Sequence, residues 1–228
     1  MLFTGAGFSV PSGIPDFRSE DGLYSRKFGG VSAEYMLSHE FFTEHTAAFY
    51  EFYRKNMLFP DARPNAAHRF FAALELAGRL SATVTQNIDG LHGKAGARKV
   101  WELHGSTERY TCMRCGAKYD AAYVLAAEGV PSCGRCGGTV RPDVVLYGEN
   151  LDGEIIAGAL EAVADADTLI VAGTSLSVYP AASMPDYFRG DTLVIVNKSA
   201  TPRDADATLS VREGVENVFD EDLLKEIL

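Results

Sequence analysis

The chain has 228 residues, of which 46% are hydrophobic and 23% charged, and these proportions exclude a disordered, collagen-like or coiled-coil protein. Its formal net charge of −10 argues against general nucleic-acid binding, which needs a basic face. The acidic charge either steers a cationic, lysine-rich peptide towards the protein or only keeps the protein in solution.

No apolar run approaches the roughly 18 residues that a membrane span requires. The apolar start, Met1–Phe3, runs directly into a glycine-rich turn and leaves no room for a signal peptide. We therefore expect a cytoplasmic protein with no membrane partner. The sequence does not indicate an oligomeric state, and a monomer is the simpler expectation.

Three short runs of apolar, often β-branched residues end abruptly in polar residues, which is typical of strands buried on both faces of a parallel sheet. They are Ala82–Thr85, Leu169–Ala172 and Leu193–Val196. Helical patterns flank these runs, one following the candidate cap Asn65 and another over Glu154–Ala164. The alternation predicts a Rossmann-like, doubly wound α/β fold, in which ligands bind beyond the carboxyl ends of the strands.

Two segments interrupt this alternation. Residues 20–60 are rich in aromatic side chains and are predicted to form short helices, and residues 105–143 contain the cysteines and several glycines. We expect a smaller domain made of this helical insertion and a zinc ribbon. Residues 1–19, 61–104 and 144–228 then form the larger, Rossmann-like domain.

The four cysteines form two C-x-x-C pairs, Cys112/Cys115 and Cys133/Cys136, with seventeen residues between the pairs. In a chain without a secretion signal, this spacing predicts a zinc site with four thiolate ligands rather than two disulfides. Because four thiolates leave no open position for water, we expect the zinc to be structural.

A glycine pair, Gly5-Ala6-Gly7, follows the apolar start and could bring the backbone close to a pyrophosphate. Alone, this pattern is as well explained by a tight turn. The full G-x-G-x-x-G fingerprint is not met, because position 10 is Val10, and no acidic residue follows about twenty positions later to hold a ribose. The sequence therefore disfavours an ordinary hydride-transfer enzyme.

The stretch Gly5–Arg18 resembles the first signature of the sirtuins of bacterial and archaeal type, which are NAD-dependent protein deacylases. Thr85–His92 is similar to their second signature and Leu103–Ser106 to their third. The paired C-x-x-C motifs, Gly173–Ala181 and Asn197-Lys198 follow in the order of the family. The resemblance covers nearly the whole chain and implies an NAD-binding Rossmann-like domain.

This resemblance implies an enzyme that removes acetyl groups from lysine side chains of proteins or peptides. The acyl group passes to the ADP-ribose part of NAD, and nicotinamide is released. Two alternatives remain open: a mono-ADP-ribosyltransferase, and a non-catalytic zinc-ribbon module that binds NAD or ADP-ribose. The presence of His104 favours deacylation, because transfer to a protein acceptor does not need a base that activates the ribose.

The resemblance also assigns roles to individual residues. His104 would be the general base. Asn87 and Asp89 would bind the nicotinamide carboxamide, which offers both a donor and an acceptor. Phe17 would shield the reactive sugar carbon from water. The other implied cofactor contacts are Gly5, Ala6, Gly7, Val10, Asp16, Arg18, Gln86, Ile88, Gly173, Thr174, Ser175, Asn197, Lys198 and Val215.

The substrate peptide would insert as an extra strand between two edges of the cleft. Family members that remove succinyl groups carry Tyr and Arg three residues apart on the helix that lines the acyl pocket. Here Tyr50 pairs with Tyr53, or Tyr53 with Asn56, so the cation is missing and a small, neutral acyl group is expected. The two implied edges consist of Val145, Tyr147, Gly148 and Glu149, and of Ser177, Val178 and Tyr179.

Overall fold

The computed structural model describes residues 1–20 and 22–228. In chain order, its strands are β1 (Leu2–Thr4), β2 (Lys27–Phe28), β3 (Val31–Ser32), β4 (Thr83–Thr85), β5 (Val100–Glu102), β6 (Gly105–Cys112), β7 (Lys118–Asp120), β8 (Val140–Val144), β9 (Thr168–Ala172), β10 (Thr192–Val196) and β11 (Leu209–Val211). Its α-helices are α1 (Ala33–Met36), α2 (His39–Glu44), α3 (Thr46–Asn56), α4 (Ala66–Leu76), α5 (Leu91–Lys94), α6 (Ala121–Ala126), α7 (Gly153–Ala164) and α8 (Glu221–Ile227).

The largest sheet has six strands in the order β11-β10-β9-β1-β4-β5, and every neighbouring pair is parallel. The chain begins on β1, continues through β4 and β5 on one side, and returns to β9, β10 and β11 on the other. The strand order therefore reverses between β1 and β9. In an open parallel sheet a ligand crevice lies at this reversal, so the predicted doubly wound fold is confirmed.

Helices cover both faces of this sheet. Neighbouring residues of a strand point to opposite faces, and apolar side chains on both faces pack against helices. Leu2 packs in one core with Phe71 of α4, and Phe3 packs in another with Val163 of α7. Asn65 caps α4 as predicted, with its Oδ1 accepting from the backbone N–H of His68 at 3.2 Å. The second predicted helix is α7, which begins one residue earlier than expected.

A smaller unit contains the antiparallel sheet β7-β6-β8 and helices α1 to α3, which share one hydrophobic core. Phe49 and Tyr53 of α3 lie in this core together with Tyr110 of β6 and Val140 of β8. The two segments that interrupt the strand-helix alternation therefore pack against each other.

The sequence prediction of helices alone over residues 20–60 is incomplete, because β2 and β3 form a short antiparallel hairpin there. Gly29 and Gly30 make its turn with φ values of +61° and +87°. Two consecutive residues with positive φ suit a two-residue hairpin turn, and glycine adopts them without strain. In the described part of the chain, no helix combines the length and apolarity needed to cross a membrane.

Candidate functional site

A cavity of about 1010 Å³ opens beyond the carboxyl ends of β1, β4, β9 and β10. Each of these strands ends in a polar or glycine-rich connection that reaches the cavity. They are Gly5-Ala6-Gly7 after β1, Gln86-Asn87-Ile88 after β4, Gly173-Thr174-Ser175 after β9 and Asn197-Lys198 after β10. The site therefore lies where the strand order reverses.

Two glycine turns pack directly against each other on the floor of the cavity. The backbone N–H of Gly7 donates to the carbonyl oxygen of Gly173 at 2.9 Å. A Cβ on Gly7 would lie 2.9 Å from that oxygen, and one on Gly173, whose φ is +62°, would lie 2.3 Å from the nitrogen of Phe8. Side chains are excluded at both positions, so backbone alone forms this part of the cavity wall, as in turns that bind a pyrophosphate.

Asn87, on the cavity wall, is connected by hydrogen bonds to polar side chains outside the cavity. Nδ2 of Asn87 donates to Oγ of Ser9 at 3.1 Å, and Oγ of Ser9 donates to Oδ2 of Asp89 at 2.6 Å. The other oxygen of Asp89 accepts from the N–H of Leu91 at 2.8 Å. Burial raises the pKa of Asp89, while the bonds from Ser9 and Leu91 act in the opposite direction.

Asp89 does not line the cavity, whereas Asn87 does. The carboxylate is therefore placed to orient Ser9 and, through it, the amide of Asn87. Ser9 belongs to the Gly5–Arg18 signature. Its position between Asn87 and Asp89 depends on hydrogen bonds to residues that are 78 and 80 positions away in the sequence.

A second set of hydroxyl groups lies beneath Asn87. Oγ1 of Thr85 accepts from the backbone N–H of Asn87 at 3.0 Å and from Oγ1 of Thr4 at 2.8 Å. Nε2 of His92 lies 3.0 Å from Oγ1 of Thr4. Burial lowers the pKa of His92 to about 4, so its imidazole is neutral at neutral pH.

His104 lines the cavity, and its ring is fixed by the main chain. Nδ1 lies 2.8 Å from the carbonyl oxygen of Gln86. Because a carbonyl can only accept, Nδ1 carries the proton and Nε2 of the neutral ring holds the free lone pair. Burial lowers the pKa of His104 below its usual value, although the bond to Gln86 raises it in part. His104 is therefore a neutral base at neutral pH.

An aromatic loop borders the cavity on the side of the smaller unit. The ring of Phe17 lies 5.4 Å from the ring of Tyr24, and the guanidinium of Arg18 lies 5.5 Å from the same ring. Oδ1 of Asp16 accepts from the backbone N–H groups of Arg18 and Ser19 and shapes the loop. The hydroxyl of Tyr24 forms a hydrogen bond with that of Tyr147, across the cavity edge.

Hydrogen bonds and ion pairs connect the edge that contains Tyr147 to the smaller unit. The N–H of Tyr147 donates to the carbonyl of Leu37 at 3.0 Å, and its carbonyl accepts from the N–H of His39 at 2.9 Å. The carboxylate of Glu149 accepts from Arg141 and from the N–H of Leu146, and it pairs with Nδ1 of His39. Glu149 therefore supports this edge of the cavity.

Nearly all the residues named from the sequence come together on the cavity. Asp89 and Ser177 do not line it, and Oγ of Ser177 instead lies 2.7 Å from Oγ of Ser175. At the far end, Lys198 pairs with Glu216 at 2.9 Å. The named residues on the wall are Gly5, Ala6, Gly7, Val10, Asp16, Phe17, Arg18, Gln86, Asn87, Ile88, His104, Val145, Tyr147, Gly148, Glu149, Gly173, Thr174, Ser175, Val178, Tyr179, Asn197, Lys198 and Val215.

The four cysteines converge away from the cavity, with all four Sγ atoms within 4.8 Å of one another. Sγ of Cys112 lies 3.5 Å from that of Cys136, and Sγ of Cys115 lies 3.6 Å from that of Cys133. Four sulfurs about 2.3 Å from a tetrahedral zinc ion would be about 3.8 Å apart. The cysteines are therefore positioned to bind a structural metal ion, and their spacing fits zinc.

Comparison with known proteins identifies the family of the chain. Residues 5–180 match the Sir2 family. Over 222 residues the chain is 53% identical to an NAD-dependent protein deacetylase of Clostridium acetobutylicum, covering 96% of this chain and 91% of the relative. A complex of a Sir2 homolog with NAD superimposes with a TM-score of 0.88 at 36% identity, covering 99% of this chain and 88% of that one.

A Sir2 structure with a deacetylated p53 peptide and 3′-O-acetyl ADP-ribose superimposes with a TM-score of 0.87 at 39% identity. This similarity covers 99% of the present chain and 90% of that chain. The family match spans more than half of the sequence, and the fold and the cysteine cluster agree with it. The chain therefore belongs to the Sir2 family.

Proposed function

We propose that the protein is an NAD-dependent protein-lysine deacetylase, which transfers the acetyl group to ADP-ribose and releases nicotinamide. The observation that carries this function is the neutral imidazole of His104, which shares one cavity with Asn87 and the glycine turn at Gly5–Gly7. The Clostridium acetobutylicum relative, named as an NAD-dependent protein deacetylase, supports it.

Each wall of the cavity has a task in this reaction. When bound, NAD supplies an activated ribose carbon with nicotinamide as its leaving group. The backbone around Gly5–Gly7 holds the pyrophosphate, and Asn87, oriented by Ser9 and Asp89, binds the carboxamide of nicotinamide. Nε2 of His104 accepts a proton from a ribose hydroxyl, directly or by relay. Phe17 excludes water from the reacting carbon.

The substrate peptide enters between the edge at Val145–Glu149 and the edge at Ser177–Tyr179. Fastening of Tyr147 and Glu149 to the smaller unit gives the first edge a fixed shape before the peptide binds. The peptide then pairs as an added strand, and its acetyl-lysine side chain reaches into the cavity.

We infer a structural role for the zinc ion held by Cys112, Cys115, Cys133 and Cys136. Two of these cysteines are buried in the core that joins the cysteine segment to α1–α3. The division into a larger domain (residues 1–19, 61–104 and 144–228) and a smaller one is part of this proposal. So is a cytoplasmic location.

Incubation with NAD and an acetyl-lysine peptide tests the function. We expect release of nicotinamide that depends on the acetyl group, together with a peptide that mass spectrometry shows to have lost it. The same peptide with unmodified lysine is the control. A peptide that gains ADP-ribose would indicate a mono-ADP-ribosyltransferase, and binding of NAD with no turnover would indicate a non-catalytic module.

A further inference from the structure

One cysteine of the metal cluster has a side-chain partner outside the cluster. The hydroxyl of Tyr119 lies 3.0 Å from Sγ of Cys133, and the same oxygen accepts from the backbone N–H of Gly134 at 3.0 Å. Since the N–H of Gly134 already donates to this oxygen, the hydrogen of the phenol is directed to the sulfur. The contact is therefore an O–H···S hydrogen bond.

The structure around Tyr119 places its hydroxyl against the turn that begins at Cys133. Tyr119 lies on β7 opposite Tyr110, and the next residue, Asp120, caps α6 by accepting from the N–H of Tyr123 at 2.9 Å. The rings of Tyr119 and Tyr123 then pack 4.3 Å apart. The hydroxyl of Tyr123 donates to the carbonyl of Ser132 at 2.7 Å.

The two tyrosines thus cover the same turn with different partners. A Cβ on Gly134 would lie 3.8 Å from the hydroxyl oxygen of Tyr123 and 4.0 Å from that of Tyr119. Only the hydroxyl of Tyr119 reaches a sulfur. Across residues 1–20 and 22–228, the other three cysteine sulfurs have no bonded side-chain hydroxyl.

We propose that Tyr119 is a positioning residue of the zinc site, whose hydroxyl fixes the thiolate of Cys133 and slows the release of zinc. The proposal rests on zinc occupying the cysteine cluster and is independent of deacetylase activity. The hydrogen bond holds the sulfur in one orientation and makes the thiolate harder to protonate, and zinc leaves more readily when a ligand is protonated. Partners of this kind behind metal ligands commonly change metal affinity by about 10- to 100-fold.

The rate of zinc loss tests the proposal. We expect the zinc-loaded Tyr119→Phe protein to release zinc to an excess of the indicator 4-(2-pyridylazo)resorcinol about 10-fold faster than the unchanged protein. Tyr123→Phe is the matched control, because it removes a hydroxyl from the same turn and keeps the ring. We expect its rate to stay within about 2-fold. An unchanged rate in Tyr119→Phe, or equal acceleration in both variants, would overturn the proposal.

A cobalt-substituted protein separates the bond to sulfur from general loosening of the turn. Loss of the donor makes the Cys133 thiolate a better electron donor, so the sulfur-to-cobalt charge-transfer band of Tyr119→Phe should move to lower energy. The band of Tyr123→Phe should stay in place even if that variant unfolds at a lower temperature. A band at the same energy in Tyr119→Phe and the unchanged protein would refute an O–H···S bond to the ligand.

Discussion

Arg54 donates from Nε to the carbonyl oxygen of Val124 at 2.8 Å and from Nη2 to that of Gly129 at 2.6 Å. Both bonds hold the guanidinium on the cysteine-containing segment, and Arg54 does not line the cavity. Tyr53, its neighbour on α3, does line the cavity. The α3 wall of the cavity thus contains an aromatic side chain and lacks a cation.

We therefore expect a preference for small, neutral acyl groups. A succinyl carboxylate beside Tyr53 would be buried without a bidentate partner, which costs about 2 kcal/mol or more and corresponds to roughly a 30-fold loss in kcat/KM relative to acetyl-lysine. A butyryl-lysine peptide is the control, since it has the same chain length without the charge. Succinyl turnover equal to butyryl turnover would show that another cation serves this pocket.

Replacement of the proposed base gives the most direct test of chemistry. His104→Ala should lower kcat for deacetylation by about 10²- to 10⁴-fold, because a positioned base contributes that much. The imidazole is one of many residues on the cavity wall, and its hydrogen bond is to the main chain of Gln86, so NAD binding measured by calorimetry should change little. Turnover close to that of the unchanged protein would remove His104 from this role.

The pH dependence should reflect the environment of the same imidazole. Because burial lowers the pKa of His104 below 6.5, the ring is neutral and able to accept a proton at pH 6.5 and above. As the pH falls through the lowered pKa, Nε2 becomes protonated and the base is lost. We expect the acid limb of kcat/KM to lie below pH 6.5.

Asp89 requires a control in that measurement, since burial shifts its pKa too, in this case upwards. If His104 defines the acid limb, Asp89→Asn should lower the rate without moving the limb. A limb that vanishes in Asp89→Asn would instead assign it to the carboxylate.

The hydroxyl pair Tyr24–Tyr147 connects the loop of Phe17 and Arg18 to the peptide edge. We expect Tyr24→Phe and Tyr147→Phe each to lower kcat/KM for the acetyl peptide about 5-fold, since one hydrogen bond contributes about 1 kcal/mol. The double variant should lose no more than either single variant, because both changes remove the same bond. Losses that multiply would mean that each hydroxyl acts on a separate partner.

Loss of one cysteine ligand should act through stability. Cys112 is buried in the core of the smaller unit, and Cys112→Ala should abolish tight zinc binding and lower the thermal midpoint together with activity. Met113→Ala is the control, since this neighbouring side chain is 60% exposed. Metal analysis should find about one zinc per chain in the control. A zinc-free Cys112→Ala protein that stays folded and active would contradict the structural role.

The elements that the sequence predicted well depend on local patterns. The apolar run Leu169–Ala172 packs against a hydrophobic core on each face of the sheet, and the Asn65 side chain caps the helix that follows it directly. The cysteine cluster was also predictable, because the C-x-x-C spacing suits two ligands of one ion.

Other features depend on contacts that no local pattern contains. Asp89 lies two residues from Asn87, but the turn after β4 directs it to Ser9, away from the cavity wall. The partner of Tyr24 is 123 residues away. The hairpin at Gly29-Gly30 did have a local signal, the paired glycines, which the surrounding aromatic residues obscured.

The strand order has a consequence for synthesis of the protein on the ribosome. β1 lies in the interior of the sheet, and its register partner Ile170 is made 168 residues after Leu2. Parallel pairing between such distant segments is slow, because a long loop must close before any contact forms. During synthesis, the apolar residues Leu2 and Phe3 can therefore pair with β4 early, but they lack their β9 partner until the chain has been made as far as Ala172.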